Sequence, residues 1–499
     1  MTSTTIPTFF GHPRGLATLF FTEMWERFSY YGMRALLMLF MITSAEKGGL
    51  GFSEETGGAI YGIYTMMVYM LALPGGWIAD NVWGLRKSVF YGACIICSGH
   101  VLMAFPYMET FFVGLLLIAI GTGLLKPNVS SLVGELYARE ENAKRDSGFS
   151  IFFMGINIGA FVAPFVTGYF GEKVNWHYGF ALAGAGMLIG LVQYKISEKY
   201  LPPEPIETGT DVRGQRRKNA RMLVAAAVAV VLLVIALVTR VLVIDPVWLA
   251  KAFVYIIVAC TIVYFSYLLL GARLTKDERN GVLAILSFFV TSVIFYMGYE
   301  QQGSSLNLFA LRYTELHLGN FEMPASWLQA VPAVGVLIFA PFFAWLWLWL
   351  SKRNIDPAIP VKLSFGLLFI SASFFVMTGA ALVVAHGQKA LPWWLIVTYV
   401  LNTFGEICLY PVGLSAVKKF APQKFSGQLM GVWFLSLALG NLLAGLLTGN
   451  MSNERIQQDP GVMVNLFLFL AMGVGFAGIT VFVLSKKLRF TSTRVAVKT

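Results

Sequence analysis

The sequence predicts an all-α protein that spans a membrane many times. Of its 499 residues, 57% are apolar and 13% are charged, whereas soluble domains average about 45–50% and 25%. Segments of about 18–25 mostly apolar residues recur along the chain, and each is long enough to cross a hydrocarbon core of roughly 30 Å as a helix. We count about fourteen such segments, and the even number predicts that both termini lie on one side. They centre near residues 30, 68, 97, 124, 158, 187, 232, 260, 294, 338, 372, 405, 438 and 473.

The chain has a net charge of +11. Its basic residues are distributed as in a membrane protein, so the charge does not indicate a nucleic-acid partner. With the N-terminus placed in the cytoplasm, most Lys and Arg residues fall on the cytoplasmic side, above all between Lys195 and Arg221. The opposite side has few, among them Lys47, Lys173 and Lys389. Cytoplasmic loops of membrane proteins carry the excess of basic residues. The sequence therefore predicts a multi-pass protein of the cell membrane with both termini in the cytoplasm.

A polar stretch between Lys195 and Arg221 separates the first six helices from the rest. The next two helices, around residues 222–244 and 248–270, contain almost no polar side chains beyond hydroxyls, which indicates contact with lipid. Removing this pair leaves six helices plus six, an arrangement in which transporters bind substrate near the bilayer midplane. We expect a six-helix bundle at residues 1–200, a linker with two extra helices at 201–275, and a second six-helix bundle at 276–499.

The first helix carries four charged side chains, each of which costs about 2.5–3.5 kcal/mol at a helix centre. Its polar residues share one face, opposite an apolar one: Glu23, Glu26, Arg27, Tyr30 and Arg34. A buried structural ion network is the alternative interpretation, because Glu23 and Arg27 are one helical turn apart. Arg34 has no acid one turn away, which favours a functional polar wall.

Helix four carries a single cation, Lys126, in the run Gly-Thr-Gly-Leu-Leu-Lys-Pro-Asn at residues 121–128. A lysine at this depth needs an acid from another helix, and Glu23 and Glu26 are the natural candidates. The glycines permit a neighbouring helix to approach closely, and Pro127 loosens the backbone beside the lysine. A lysine that snorkels to the membrane surface is the alternative.

Two helices of the second half contribute carboxylates, Glu300 and Glu406. Each acid lies in a row of polar residues at helical spacing: Tyr296, Glu300, Gly303 and Asn307 in one helix, and Asn402, Glu406 and Tyr410 in the other. Taken singly, each acid also fits a satisfied core group. Together with the cations Arg34 and Lys126 of the first half, they predict a bipolar cavity that is complementary to a zwitterion.

The loop after helix two, residues 76–87, combines glycines with Asp80 and Arg86. Opposite charges at a cytoplasmic helix end predict a conformational latch between neighbouring helices, and an ordinary tight turn is the alternative. The five His residues are scattered without a metal-binding or catalytic spacing. We therefore expect no cofactor, no metal site and no enzymatic activity.

The charged motifs resemble those of a known family. Residues 23–32, Glu-Met-Trp-Glu-Arg-Phe-Ser-Tyr-Tyr-Gly, resemble the ExxERFxYYG signature of the proton-dependent oligopeptide transporters, which belong to the major facilitator superfamily. Residues 121–128 and 149–159 resemble the motifs of helices four and five in that family. Residues 405–406 with Pro-Val-Gly-Leu-Ser at 411–415 resemble its helix-ten motif, and residues 76–86 the inter-helix motif of the superfamily.

The resemblance implies the major facilitator fold, with twelve core helices in two six-helix bundles and a pair of extra helices inserted between them. It also implies roles for single residues. Those of the proton-coupling network are Glu23, Glu26, Arg27 and Lys126. Arg34 and Lys126 are implied to meet the peptide carboxylate, and Glu406, with Glu300, its amino group. The remaining pocket positions are Tyr30, Tyr69, Asn157 and Trp433.

Three positions depart from the family pattern. Phe153 stands where the family usually has Tyr, Pro332 where Asn is expected, and Tyr410 where a small Ser is usual. The predicted pocket has lost hydrogen-bonding groups and gained bulk. These departures concern the range of peptides rather than the class of transporter.

We therefore expect a proton-coupled symporter that imports di- and tripeptides by alternating access, acting as a monomer in the lipid bilayer. A proton-coupled carrier of another small solute, such as an amino acid or nitrate, is the second interpretation on the same fold. Nitrate would not require an inward-facing Glu406. A channel or a membrane-embedded enzyme is the alternative from a different class.

Overall fold

The structure is a computed structural model, and it describes residues 8–138, 142–203, 210–355 and 357–485. Within these ranges, twelve helical segments are long and apolar enough to cross a membrane. The charged helices Gly15–Ile42 and Leu85–Met103 are two further long helices. Together they make the fourteen spans that the sequence predicts.

The helices are numbered in chain order. The described helices of the first half are α1 (Gly15–Ile42), α2 (Glu54–Met70), α3 (Ala72–Ile78), α4 (Leu85–Met103), α5 (Met108–Glu135), α6 (Asn142–Tyr169), α7 (Trp176–Ser197) and α8 (Thr210–Val238). Those of the second half are α9 (Pro246–Ser266), α10 (Lys276–Tyr299), α11 (Ser305–Tyr313), α12 (Val331–Lys352), α13 (Ile359–Ala385), α14 (Trp393–Phe420), α15 (Ser426–Thr448), α16 (Asn453–Gln458) and α17 (Gly461–Leu484).

Two short hairpins lie outside the helices. Strand β1 (Thr8–Phe9) pairs antiparallel with β2 (His12–Pro13), so that Phe9 stands opposite His12. Strand β3 (His317–Leu318) pairs in the same way with β4 (Phe321–Glu322).

The described residues form two compact units. The first lies within Met1–Leu50 and Met67–Asp245, and the second within Gly51–Met66 and Pro246–Thr499. This division departs from chain order in one place, because the N-terminal part of α2 packs with the second half of the chain. Helix α8 belongs to the first unit and α9 to the second.

Glycines bring the helices of the first unit close together. A Cβ atom on Gly121 of α5 would lie 2.7 Å from the carbonyl oxygen of Gly92 in α4. A Cβ atom on Gly159 of α6 would lie 2.1 Å from the carbonyl oxygen of Met24 in α1. Neither position has room for a side chain. Residues 121–128, assigned to helix four in the sequence analysis, lie in α5. The close approach predicted at their glycines is confirmed by the contact between Gly121 and Gly92.

The second unit contains a similar glycine contact between α2 and α15. A Cβ atom on Gly58 would lie 2.3 Å from the carbonyl oxygen of Gly445. At the first residue of α2, Glu54 Oε1 accepts a hydrogen bond from Nη2 of Arg312 in α11 at 2.7 Å. In the same unit, α13 packs against both α14 and α17.

Helix α8 begins at Thr210, inside the stretch that the sequence predicts to be a linker. The residues that follow Gly214 are mostly Arg, Gln, Lys, Asn and Ala, several of which favour helices. No proline occurs between Pro205 and Pro246 to interrupt them. The basic run at residues 216–218 is thus helical and continuous with the apolar part of α8.

Candidate functional site

The charged residues of α1 form one buried ionic cluster. Arg27 Nε lies 3.2 Å from Glu23 Oε1 and also donates to Glu26 Oε2. All three side chains are buried. Glu23 Oε2, Glu26 Oε1 and Arg27 Nη2 have no hydrogen-bond partner among the described residues. Each carboxylate therefore keeps one oxygen available for a proton.

Packing on the opposite side of α1 fixes the direction of this cluster. Glycines of α7 receive its large apolar side chains: a Cβ atom on Gly186 would lie 2.4 Å from the ring of Phe28, and one on Gly190 would lie 2.7 Å from Trp25 Cβ. With Trp25 and Phe28 held against α7, the charged face of α1 is directed elsewhere.

Lys126 of α5 lies within electrostatic range of this cluster. Its charge acts on the Glu23 carboxyl group, and its Nζ lies 4.6 Å from the centre of the Tyr69 ring. The next polar side chain, Asn128, donates to the carbonyl oxygens of Leu124 and Gly75 at 2.6 and 3.2 Å. These hydrogen bonds stabilise α5 next to Pro127, which lacks the N–H group for the regular helical hydrogen bond.

Arg34 lies farther along α1 among aromatic rings. It is 4% exposed, and its Cζ atom is 5.8 Å from the centre of the Tyr31 ring. Tyr30 takes a corresponding place beside Arg27, at 5.1 Å. Two tyrosine rings thus lie between Arg27 and Arg34 along the helix, one beside each guanidinium group, which is a favourable environment for these cations.

Helix α6 contributes Asn157 and Phe153 to the first unit. Asn157 is buried and donates to the backbone oxygen of Phe153 at 2.9 Å. The Phe153 ring is 46% exposed. A ring at this position offers surface but no hydrogen bond.

In the second unit, the predicted helix of Glu300 is interrupted. Helix α10 ends at Tyr299, the residues Glu300–Gly303 form a 3-10 turn, and α11 starts at Ser305. The expectation of one continuous helix from Tyr296 to Asn307 is therefore wrong. Gln301 stabilises the break, because its Nε2 donates to the carbonyl oxygens of Met297 and Ala444.

Glu406 has a partner that the sequence did not indicate. The hydroxyl of Tyr299 donates to Glu406 Oε2 at 2.6 Å, and the Tyr299 ring stacks on Phe295. Tyr299 directly precedes Glu300 in the chain. The only signal in the sequence was therefore a hydroxyl-bearing side chain next to a predicted site residue. Glu300 is buried, whereas Glu406 is half-buried.

Further polar groups accompany Glu406 on α14 and α15. Asn402 is fully buried, and neither its Oδ1 nor its Nδ2 has a hydrogen-bond partner among the described residues. The indole N–H of Trp433 likewise has none there, and the ring packs against Gly413. Tyr410 is half-buried one turn after Glu406. Pro332 lies in the first turn of α12, where a missing N–H is tolerated.

The predicted latch residues Asp80 and Arg86 do not pair with each other within the described ranges. Arg86 Nη2 lies 3.0 Å from Glu198 Oε1 and donates to the backbone oxygen of Glu198 at 3.2 Å. Asp80 is exposed, on the π-helical turn Ala79–Trp83, and forms no ion pair within the described ranges. Glu198 follows α7 and lies far from Arg86 in the sequence, so no local spacing could have indicated it.

The described residues contain no group of three or more His, Cys, Asp and Glu side chains that could hold a metal ion. The charged and titratable side chains of the two units offer acid–base and electrostatic chemistry. The first unit provides four buried charged groups, Glu23, Glu26, Arg27 and Arg34, and the half-buried Lys126 among its described residues. The second provides Glu300 and Glu406, the latter bonded to a tyrosine hydroxyl.

Comparison with known proteins identifies the family. The model of the POT family matches residues 86–462. A peptide transporter of Yersinia enterocolitica, YePEPT, is 39% identical over 485 residues, which cover 94% of this chain and 95% of that protein. A di-/tripeptide transporter of Lactococcus lactis subsp. cremoris is 34% identical over 86% of this chain and 88% of its own length.

Solved structures agree with the sequence relatives. A crystal structure of a peptide transporter POT in complex with sulfate has a TM-score of 0.86 with this chain at 38% identity, covering 97% of this chain and 96% of the other. This likeness confirms the predicted class, an all-α membrane protein with the major facilitator fold. The chain belongs to the POT family of membrane transporters.

Proposed function

We propose that this chain imports di- and tripeptides together with protons, by exposing its substrate site alternately to the two faces of the membrane. Membership of the POT family supports a transporter rather than an enzyme. The names of the relatives, a peptide transporter and a di-/tripeptide transporter, support the substrate class. The α1 cluster with Lys126 supports proton coupling.

The charge balance of that cluster carries the proposal. Glu23 and Glu26 oppose Arg27 and Lys126, so the four groups are neutral together when all are charged. One added proton leaves a net positive charge, which a peptide carboxylate neutralises. Protonation of a glutamate also releases a cation from its ion pair. Proton and peptide thus favour each other's binding, as coupling requires.

The roles of the binding residues follow from their charge. We assign the peptide carboxylate to Arg34 and Lys126, and the peptide amine to Glu406 with Glu300. Aromatic and amide groups complete the pocket and select its contents: Tyr30, Tyr69, Asn157 and Trp433. Asp80 and Arg86 are proposed to act as a conformational latch, in which Glu198 is the partner of Arg86.

Uptake by the purified protein in liposomes tests the function. We expect an inward proton gradient to drive a labelled dipeptide above its external concentration, an uncoupler to abolish this accumulation, and unlabelled di- and tripeptides to compete. An inside-negative potential of about 100 mV supplies roughly 2.3 kcal/mol per proton, or about fiftyfold accumulation of a neutral peptide. Competition by nitrate or single amino acids, but not by dipeptides, would contradict the proposed substrate.

The remaining expectations concern topology. We propose two six-helix bundles at residues 1–200 and 276–499 with an inserted segment at 201–275, both termini in the cytoplasm, and a monomer as the functional form. The distribution of Lys and Arg supports the orientation. A cysteine introduced at Lys47 should react with an impermeant thiol reagent in intact cells, and one introduced at Lys276 should not.

A further inference from the structure

The first turns of α8 carry a cluster of basic side chains that no transport role explains. Arg217, Lys218 and Arg221 are exposed. With 3.6 residues per turn they fall within about 100° of the helix circumference. We refer to these three residues as the α8 basic face.

The other side of the same turns is docked on the protein. Asn219 is buried, accepts a hydrogen bond from Gln215 Nε2 at 3.0 Å, and donates to the backbone oxygen of Asn81 at 3.4 Å. Asn81 belongs to the turn Ala79–Trp83, which precedes α4. This contact fixes the rotation of α8, so the α8 basic face points away from the first unit.

The charges of the α8 basic face are not balanced by the described residues, among which Arg217, Lys218 and Arg221 form no ion pair with an acidic side chain. Arg217 and Arg221 are like charges one turn apart, which destabilises a helix. An external anion bound between these side chains would offset this repulsion.

The position of the cluster along α8 indicates which anion it meets. Immediately after Arg221 the helix becomes apolar, and its side chains are exposed, among them Met222, Val224 and Val228. Such a surface contacts the hydrocarbon of the bilayer. With a rise of 1.5 Å per residue, the basic side chains lie within about one turn of it, at the depth of the lipid headgroups.

We propose that the α8 basic face binds the phosphate headgroups of anionic phospholipids at the membrane surface where α8 enters the bilayer. Clusters of Lys and Arg beside a transmembrane helix attract anionic lipids in this way. A nucleic acid or an acidic protein would have to approach a surface that lipid already borders. Bound lipid would stabilise α8 against the turn Ala79–Trp83, the neighbour of Arg86.

Native mass spectrometry of the purified full chain tests the proposal without reference to transport. The protein is mixed with equal amounts of phosphatidylglycerol and phosphatidylcholine, and bound lipids are counted. We expect the wild type to bind phosphatidylglycerol preferentially. In the triple variant R217Q/K218Q/R221Q, this preference should fall about tenfold or more, because each basic residue near the surface contributes separately.

The matched control is K47Q/K173Q/K389Q, which removes the same number of positive charges from exposed positions in three separate segments that do not form a cluster in the sequence. It should retain the preference. An unchanged preference in the α8 variant, an equal loss in the control, or equal binding of both lipids by the wild type would overturn the proposal. If the triple variant does not fold, the three single variants replace it, and each should lose part of the preference.

Discussion

Lys126 is the residue whose removal should separate transport from coupling. It is the single basic side chain in α5, and its charge acts on Glu23. We predict that Lys126→Ala abolishes proton-driven accumulation in liposomes while peptide exchange survives. Lys389→Ala, which removes an exposed lysine of a loop, should accumulate peptide normally. Uphill uptake by Lys126→Ala in a pH gradient would contradict the coupling role.

Glu406 should distinguish peptides by their amino group. If it receives the peptide amine, Glu406→Gln loses a charge-assisted hydrogen bond worth about 1.5–3 kcal/mol, or roughly 10- to 150-fold in affinity. N-acetylated dipeptides lack the charged amine and should lose far less. Competition uptake with matched pairs of free and acetylated peptides measures the difference, and equal losses for both would refute the assignment.

Tyr410 should limit the size of the first peptide side chain. It adds a ring one turn from Glu406, where an extended peptide residue has only about 3.3–3.6 Å of chain length. We expect Ala- or Gly-leading dipeptides to be preferred over bulky ones, and Tyr410→Ser to relax this preference without affecting coupling. An unchanged ranking of Ala-, Leu- and Phe-leading dipeptides would show that Tyr410 lies outside the pocket.

Phe153→Tyr is the complementary substitution. It adds a hydroxyl with little volume, so it should change affinity for individual peptides without changing the size limit. Competition uptake with the same dipeptides measures both effects. A shifted size limit in this variant would contradict the separate roles of Phe153 and Tyr410.

The close contact between helices α4 and α5 depends on glycine residues. A methyl group on Gly121 would meet backbone atoms of Gly92 and Ile96 within 3.0 Å, and such overpacking costs about 1–3 kcal/mol. Gly121→Ala should therefore lower the melting temperature. Gly134→Ala is the control in the same helix, because its methyl group would meet nothing within 4 Å. Thermal unfolding in detergent compares the two variants, and equal melting temperatures would contradict the predicted contact.

Elements with a strong pattern could be predicted from the sequence, and contacts between distant elements could not. The polar face of α1 correctly indicated the Glu23–Arg27 pair, because one helical turn separates them. The bonds of Tyr299 to Glu406 and of Arg86 to Glu198 join separate elements, and their partners depend on helix packing. The break after Tyr299 was missed because periodicity alone assumes an uninterrupted helix.

The order of the helices along the chain differs from their grouping into two compact units at α2. The hydropathy pattern predicted fourteen helices but carried no information on which unit each helix joins. Gly51–Met66 packs with Pro246–Thr499, through a contact in which Gly58 and Gly445 leave no room for side chains. Polar contacts add to it, because the Arg312 side chain and the backbone N–H of Asn453 both donate to Glu54.

This grouping predicts the behaviour of a divided chain. If residues 1–243 and 244–499 are produced as separate polypeptides in one cell, they should copurify, because α2 lies in the first fragment and packs with the second. Gly445→Leu in the second fragment should weaken copurification, whereas Gly473→Leu, at a glycine with open space around it, should not. Equal recovery with both variants would show that the α2 contact does not hold the fragments.

The contact between Gly58 and Gly445 also has a consequence for biosynthesis. The ribosome makes α2 near the start of the chain and α15 near its end. At about 5–20 residues per second, on the order of half a minute passes between them. During that time the newly inserted α2 lacks the helix that it finally contacts, so its glycine face is open to lipid or to the insertion machinery. Final assembly of the second unit must therefore wait until translation is almost complete.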